Sequence, residues 1–228
     1  MEPSWFETPQ QQSDRIAREA ARLLATGDAE DVKDAVRKAI GRLGWQHREN
    51  LSLPSLKRIR DHCRAMSMQA LGAEGYQASI VNVWRTAEEL MTVLEPEEPM
   101  LIGRAAKGEI DAGVILRIRI YTDLPINEIA DVLVEYGYPD PEIVTIDTKF
   151  GRFDRIRFMD DDSELDVHIT RCPTRLRAQV SGRNLFTREP LSAVASLEEL
   201  RTLIDTHERE HEGDQRISNT DDDDDFDM

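Results

Sequence analysis

Apolar residues recur at helical spacing through the first hundred positions and then change to an alternating pattern. Ile16, Ala20, Leu23 and Leu24 mark one face of a helix that Ser13 caps and Gly27 stops, near Ala25. Asp28 opens a second helix through Leu43, with Val32, Val36, Ala39, Ile40 and Leu43 as its buried stripe and Gly44 at its end. A third runs over 55–71 and stops at Gly72. A fourth covers 77–94, with Ile80, Val83, Ala87, Leu90 and Met91 on one side.

After Pro99 the period shortens. Residues 100–103 read as a short strand and 114–121 alternate as a longer one. Asp123 and Pro125 start a helix whose inner face is Ile126, Ile129, Ala130, Leu133 and Val134, ending at Gly137. Residues 142–148, 150–159 and 164–170 read as strands, with a polar turn at 160–163, and a final helix spans 196 to about 210. The expected fold class is α+β, a helical N-terminal half followed by a mixed sheet. The expected divisions are an arm at 1–12, a helical subdomain at 13–95, a sheet core with its terminal helix at 96–210 and a disordered acidic tail at 211–228.

Composition narrows the function classes. Of 228 residues, 39% are hydrophobic and 32% charged, so a core is available. The net charge of −16 argues against general DNA binding, which rests on positive charge. Much of that charge is local, in 208–214 and in the aspartates 221–225 and 227, so a basic pocket in the folded body is compatible with it. Cys63 and Cys172 form no CxxC, which points to a reducing compartment and away from a cysteine zinc site. The N-terminal residues lack an apolar signal-peptide core, and no apolar run is long enough to cross a bilayer. The expectation is a cytoplasmic protein with no membrane partner.

The densest chemistry lies between Gly103 and His168. A small-residue turn, Gly103-Arg104, follows the strand at 100–103, and Leu116-Arg117-Ile118-Arg119-Ile120 follows at a spacing of about a dozen residues. A later strand carries Leu165-Asp166-Val167. This layout resembles the DNA polymerase beta-like nucleotidyltransferase superfamily. In that family a Gly-Ser turn holds the triphosphate, a strand presents two carboxylates at alternate positions, and a third carboxylate comes from a later strand. Two metal ions need hard oxygen ligands on one strand face, and alternate residues share a face. The segments 16–23, 34–39, 42–44 and 184–190 also resemble an uncharacterised bacterial set of nucleotidyltransferase-like proteins.

The side chains depart from the pattern. Arg117 and Arg119 stand at the two metal-ligand positions and Arg104 at the hydroxyl position. Arginine does not deprotonate at usable pH and does not bind Mg²⁺. The resemblance therefore implies a nucleotidyltransferase fold without the standard two-metal site, acting as a nucleotide- or phosphate-binding or regulatory module. Asp166 is then the sole catalytic candidate. One alternative is an active, Mg²⁺-dependent nucleotidyltransferase using displaced carboxylates, Asp111, Asp123 and Asp166. Another is an interaction module that recruits a protein partner through its helices and acidic tail.

Alternation also groups residues without any family. Arg155 and Arg157 oppose Ile156 and Phe158, and Asp166 and His168 oppose Leu165, Val167 and Ile169. If helices cover the apolar side, Arg117, Arg119, Arg155, Arg157, Asp166 and His168 gather on the other. Arginine forks suit phosphate oxygens, which makes this a candidate anion site. A solvated sheet face with weak cross-strand Arg–Asp pairs is the competing reading. His207 and His211 complete an H-E-x-x-H, but at the frayed end of a helix among charges, where metalloprotease chemistry has no third ligand.

Overall fold

The computed structural model describes residues 7–218, other than 27, 30–31, 111–114 and 139–140, with the backbone alone for 210–218. The expected tail from 219 onward and most of the expected arm lie outside the described residues. The fold is α+β. The chain divides into two compact units, Met1–Ser79 with Glu109–Val114, and Ile80–Gly108 with Ile115–Met228.

In the first unit α1 (Pro9–Ala25) starts earlier than Ser13 suggests. Thr8 caps it: the Thr8 N–H donates to Gln11 Oε1 at 2.8 Å and the Gln11 N–H to Thr8 Oγ1 at 3.2 Å, with Pro9 in the first turn. Ser13 is instead a buried residue inside the helix. Helix α2 (Val32–Arg42) packs on α1, and small side chains such as Ala17, Ala20, Ala21, Ala35 and Ala39, all buried, permit that approach. Trp45, Ile59 and Cys63 complete the core. Helix α3 (Leu56–Val93), which belongs to this unit only as far as Ser79, is interrupted at Gly72, whose φ of 72° and ψ of 172° break the helical path where the sequence puts a stop.

The second unit is built on six strands: β1 (Met100–Ile102), β2 (Ile115–Tyr121), β3 (Glu142–Thr148), β4 (Gly151–Asp160), β5 (Leu165–Cys172) and β6 (Val194–Ser196). Their order is β3-β4-β5-β2-β1-β6, with β2 and β5 parallel and the other neighbours antiparallel. One face carries the buried Leu116, Ile118, Ile120, Ile156, Phe158, Val167 and Ile169. Each such side chain contributes about 1.5–3 kcal/mol on burial. Helix α4 (Ile126–Glu135) packs on β4, and α6 (Leu197–Ser218) on β6 and β1.

Asp123 does not cap α4. Its carboxylate accepts from the N–H of Thr174, at 3.2 Å, and from the Thr174 hydroxyl, which ties the end of β2 to the segment after β5. Those two bonds hold its carboxyl below the ordinary carboxylate range. Helix α6 continues past position 210, and its start is a reciprocal cap between Ser196 and Glu199. No described helix is long and apolar enough to cross a membrane.

Candidate functional site

The second sheet face divides into an apolar half and a polar half. At one end Tyr121, Phe153 and Cys172 are buried under Val180 and Leu185, which belong to the chain after β5, including the short helix α5 (Arg177–Val180). At the other end the register lines up charged residues. Arg117 on β2 pairs with His168 on β5, and His168 with Arg157 on β4. In the next row Arg119 pairs with Thr170, and Thr170 with Arg155. Asp166 lies opposite Ile115 and Met159. With strands about 4.8 Å apart, Arg117 and Arg157 start from backbones roughly 10 Å apart.

The turn at Gly103 falls at the same end of the sheet. Met100 pairs with Arg119 and Leu101 with Ile118, so Gly103 continues toward the start of β2. Gly103 has a φ of 82°, a left-handed conformation that glycine adopts without strain, and its N–H donates to Ala193 O at 3.0 Å. Arg104, half-buried, begins the 3₁₀ turn of 105–107. The residues grouped by alternation are thus brought onto one face.

Their roles differ. Arg119 is 1% exposed, and its guanidinium donates to two carbonyls, Val180 O at 2.6 Å and Arg183 O at 3.1 Å. It is a tether that holds the segment after β5 against the sheet. Only a long-range pairing could reveal this, because its partners lie more than sixty positions away. Arg155 Nε donates to Thr170 Oγ1 at 3.0 Å. Burial lowers its pKa from the ordinary value, reinforced by Arg117, Arg157 and Arg119 and opposed by Asp166. Four arginines thus act on one another here, beside Asp166 and beside Glu142, whose Oε2 lies 3.9 Å from Arg157 Nη1.

His168 is buried and sits between opposite charges. Its Nε2 lies 3.2 Å from Arg157 Nε and 3.2 Å from Asp166 Oδ1. Burial pushes the imidazole pKa down to about 4; Asp166 opposes this, and Arg155, Arg117 and Arg157 add to it. The ring is neutral at pH 7, so Nε2 serves one neighbour at a time: it accepts from Arg157 or donates to Asp166. Two buried nitrogens on this face, Arg119 Nε and His168 Nδ1, have no hydrogen-bond partner among the described residues. Buried polar atoms of this kind are uncommon.

Two of the displaced carboxylates, Asp123 and Asp166, do not come together. Tyr121 pairs with Cys172 and Ile115 with Asp166, and Asp123 bonds to Thr174. Asp123 and Asp166 are therefore at opposite ends of β5, roughly 20 Å apart along the strand. Asp111 lies outside the described residues. Asp160 Oδ2 accepts from the N–H and hydroxyl of Ser163, closing the β4–β5 turn. His207 stacks edge-on against Trp84 at 5.5 Å, and the side chain of His211 lies outside the described residues. Among the described residues no group of His, Cys, Asp and Glu is arranged to hold a metal ion. The sequence matches no known family model and no characterised protein.

Proposed function

We propose that this chain is a nucleotidyltransferase-like protein whose polar sheet face binds a phosphate group, as a nucleotide- or phosphate-binding module without the standard two-metal site. One observation carries this reading. Arg117, Arg155 and Arg157 share a face with Asp166 and with Glu142, whose Oε2 lies 3.9 Å from Arg157 Nη1, beside two buried nitrogens that lack partners among the described residues. A dianionic phosphate would offer several acceptor oxygens to these guanidinium groups at once.

The superfamily reading draws support from three features. The turn after β1, the strand positions 117 and 119, and the strand bearing Asp166 belong to neighbouring strands, and the turn lies at the Asp166 end of the sheet. A phosphate seated here would touch Arg155 and Arg157 from β4 and Arg117 from β2. Arg119 would shape the floor rather than donate its bound guanidinium nitrogens. Neutral His168 would orient the Arg157 guanidinium or hold Asp166, depending on which neighbour its Nε2 serves.

Isothermal titration tests the reading, with inorganic phosphate, pyrophosphate and ATP as probes. Saturable binding that Arg117→Ala/Arg155→Ala weakens by about ten-fold or more is expected, since each lost charge-assisted bond is worth about 1.5–3 kcal/mol. Equal binding by parent and double variant would sink the anion site. Nucleotide incorporation with Mg²⁺ or Mn²⁺ that Asp166→Asn abolishes would replace this reading with the active-enzyme alternative.

A further inference from the structure

A groove of about 550 Å³ opens in the second unit, away from the arginine face, lined by Glu88, Glu89, Thr92, Val93, Tyr136, Tyr138 and Arg201. Its lining includes two phenol rings and two carboxylates of α3. Arg201, the groove's own cation, is already engaged: its Nε donates to Glu88 Oε1 at 2.9 Å and its Nη2 to Thr92 Oγ1 at 3.1 Å. Glu89 is exposed beside that pair.

The two tyrosines are held differently. Tyr138 is half-buried, its ring tilted against Phe158 with centroids 5.4 Å apart, so its position is fixed by the sheet core. Tyr136 is 66% exposed, far more than an aromatic ring needs to be at the end of a packed helix. Burial raises the Tyr138 phenol pKa to about 12, followed by Glu89, Asp160 and Asp162. Burial alone raises a phenol in this way, and the smaller contributions of the three carboxylates add a negative potential at the Tyr138 hydroxyl, because a nearby anion disfavours a second one.

We infer that this groove binds the guanidinium of an arginine in a basic segment of a partner protein, stacked on Tyr136 and paired with Glu89. The physical basis is charge and shape together. A cation over an aromatic face gains from the ring quadrupole, and arginine adds planar stacking and a fork that fits a carboxylate. Tyrosine paired with arginine is also a favoured combination at protein interfaces. Phosphate ligands are repelled by the same potential, so this site is independent of the arginine face.

The test uses the full chain and a capped Gly-Arg-Gly peptide, followed in ¹H–¹⁵N spectra, with capped Gly-Lys-Gly as the comparison. Saturable shifts confined to residues around Glu89, Tyr136, Tyr138 and Arg201 are expected, with weaker binding of the lysine peptide. Tyr136→Ala and Glu89→Gln each weaken the arginine peptide by about five-fold, the size of one lost cation–π or charged contact. Both residues are exposed, so the variants keep the parent's spectral dispersion. Shifts that spread over the acidic surface or fall only in residues 208–228 overturn the proposal, as does an affinity that neither variant changes. Equal binding of the two peptides overturns the stacked guanidinium.

Discussion

Replacing Arg119 with methionine separates the tether from the ligand-facing arginines. Methionine keeps an apolar stem of similar length in the buried channel but removes the bonds to Val180 O and Arg183 O. Hydrogen bonds from a charged donor are worth about 1.5–3 kcal/mol each, and both carbonyls lose their partner. An opposing effect is present, since Arg119 is one of the cations that depress Arg155, and its removal relieves that repulsion. Taking the relief as about 1–2 kcal/mol, the net loss is about 3 kcal/mol. For a domain of this size that lowers the melting temperature by roughly 6–12 °C. Thermal melts read by tryptophan fluorescence report it, because Trp84 lies in the same unit, is buried, and donates to Ala105 O at 2.7 Å. Arg155→Met is the control: it removes a half-buried cation from a like-charged cluster and leaves the melt within about 2 °C or raises it. An Arg119→Met protein that melts with the parent would refute the tether.

Stability falls on acidification through His168: its folded pKa of about 4 lies below the ordinary imidazole value of 6.5, so the unfolded state takes up the proton first and stability declines from about pH 6.5 to pH 4. Urea midpoints across that range measure the decline, and His168→Gln flattens it. The Tyr138 phenol is raised from the ordinary value of 10 to about 12, so an absorbance titration at alkaline pH shows a late phase that Tyr138→Phe removes. Stability contributed by its burial is present below pH 10 and is lost as pH rises toward 12. Gly108→Ala destabilises by about 1–2 kcal/mol in denaturant melts, because φ is +67° there and the new Cβ would meet Trp84 Cζ2 at 3.1 Å.

Local patterns exposed much of the architecture. The alternation of arginine with apolar residues in 115–121 and 153–158 located two strands and assigned their faces, because a strand half-buried on one side cannot hide which side that is. Gly72 marked the break in α3 for an equally local reason. Strand β6 escaped notice because three residues carry too little period to recognise, and it exists through pairing with β1. The start of α1 is also written locally: Thr8, Pro9 and Gln11 spell a capping box one turn before the first apolar repeat.

The site was harder, and Arg119 explains why. Position 119 and position 117 are equivalent to any local rule: same residue, same strand, same face. Burial separates them, and burial here is set by the segment 173–191 folding over one half of the sheet. A sequence can state that arginines share a face, but it cannot state how far a distant loop advances across it. Register decides the remainder. Because β2 and β5 run parallel, Arg117 meets His168, and the antiparallel β4 brings Arg157 to the same row. A shift of two residues in either pairing would have kept every side chain on its face and dispersed the cluster. The cationic row is therefore a property of the sheet's pairing, which is why exchanging Arg119 tests the fold and exchanging Arg117 with Arg155 tests the ligand.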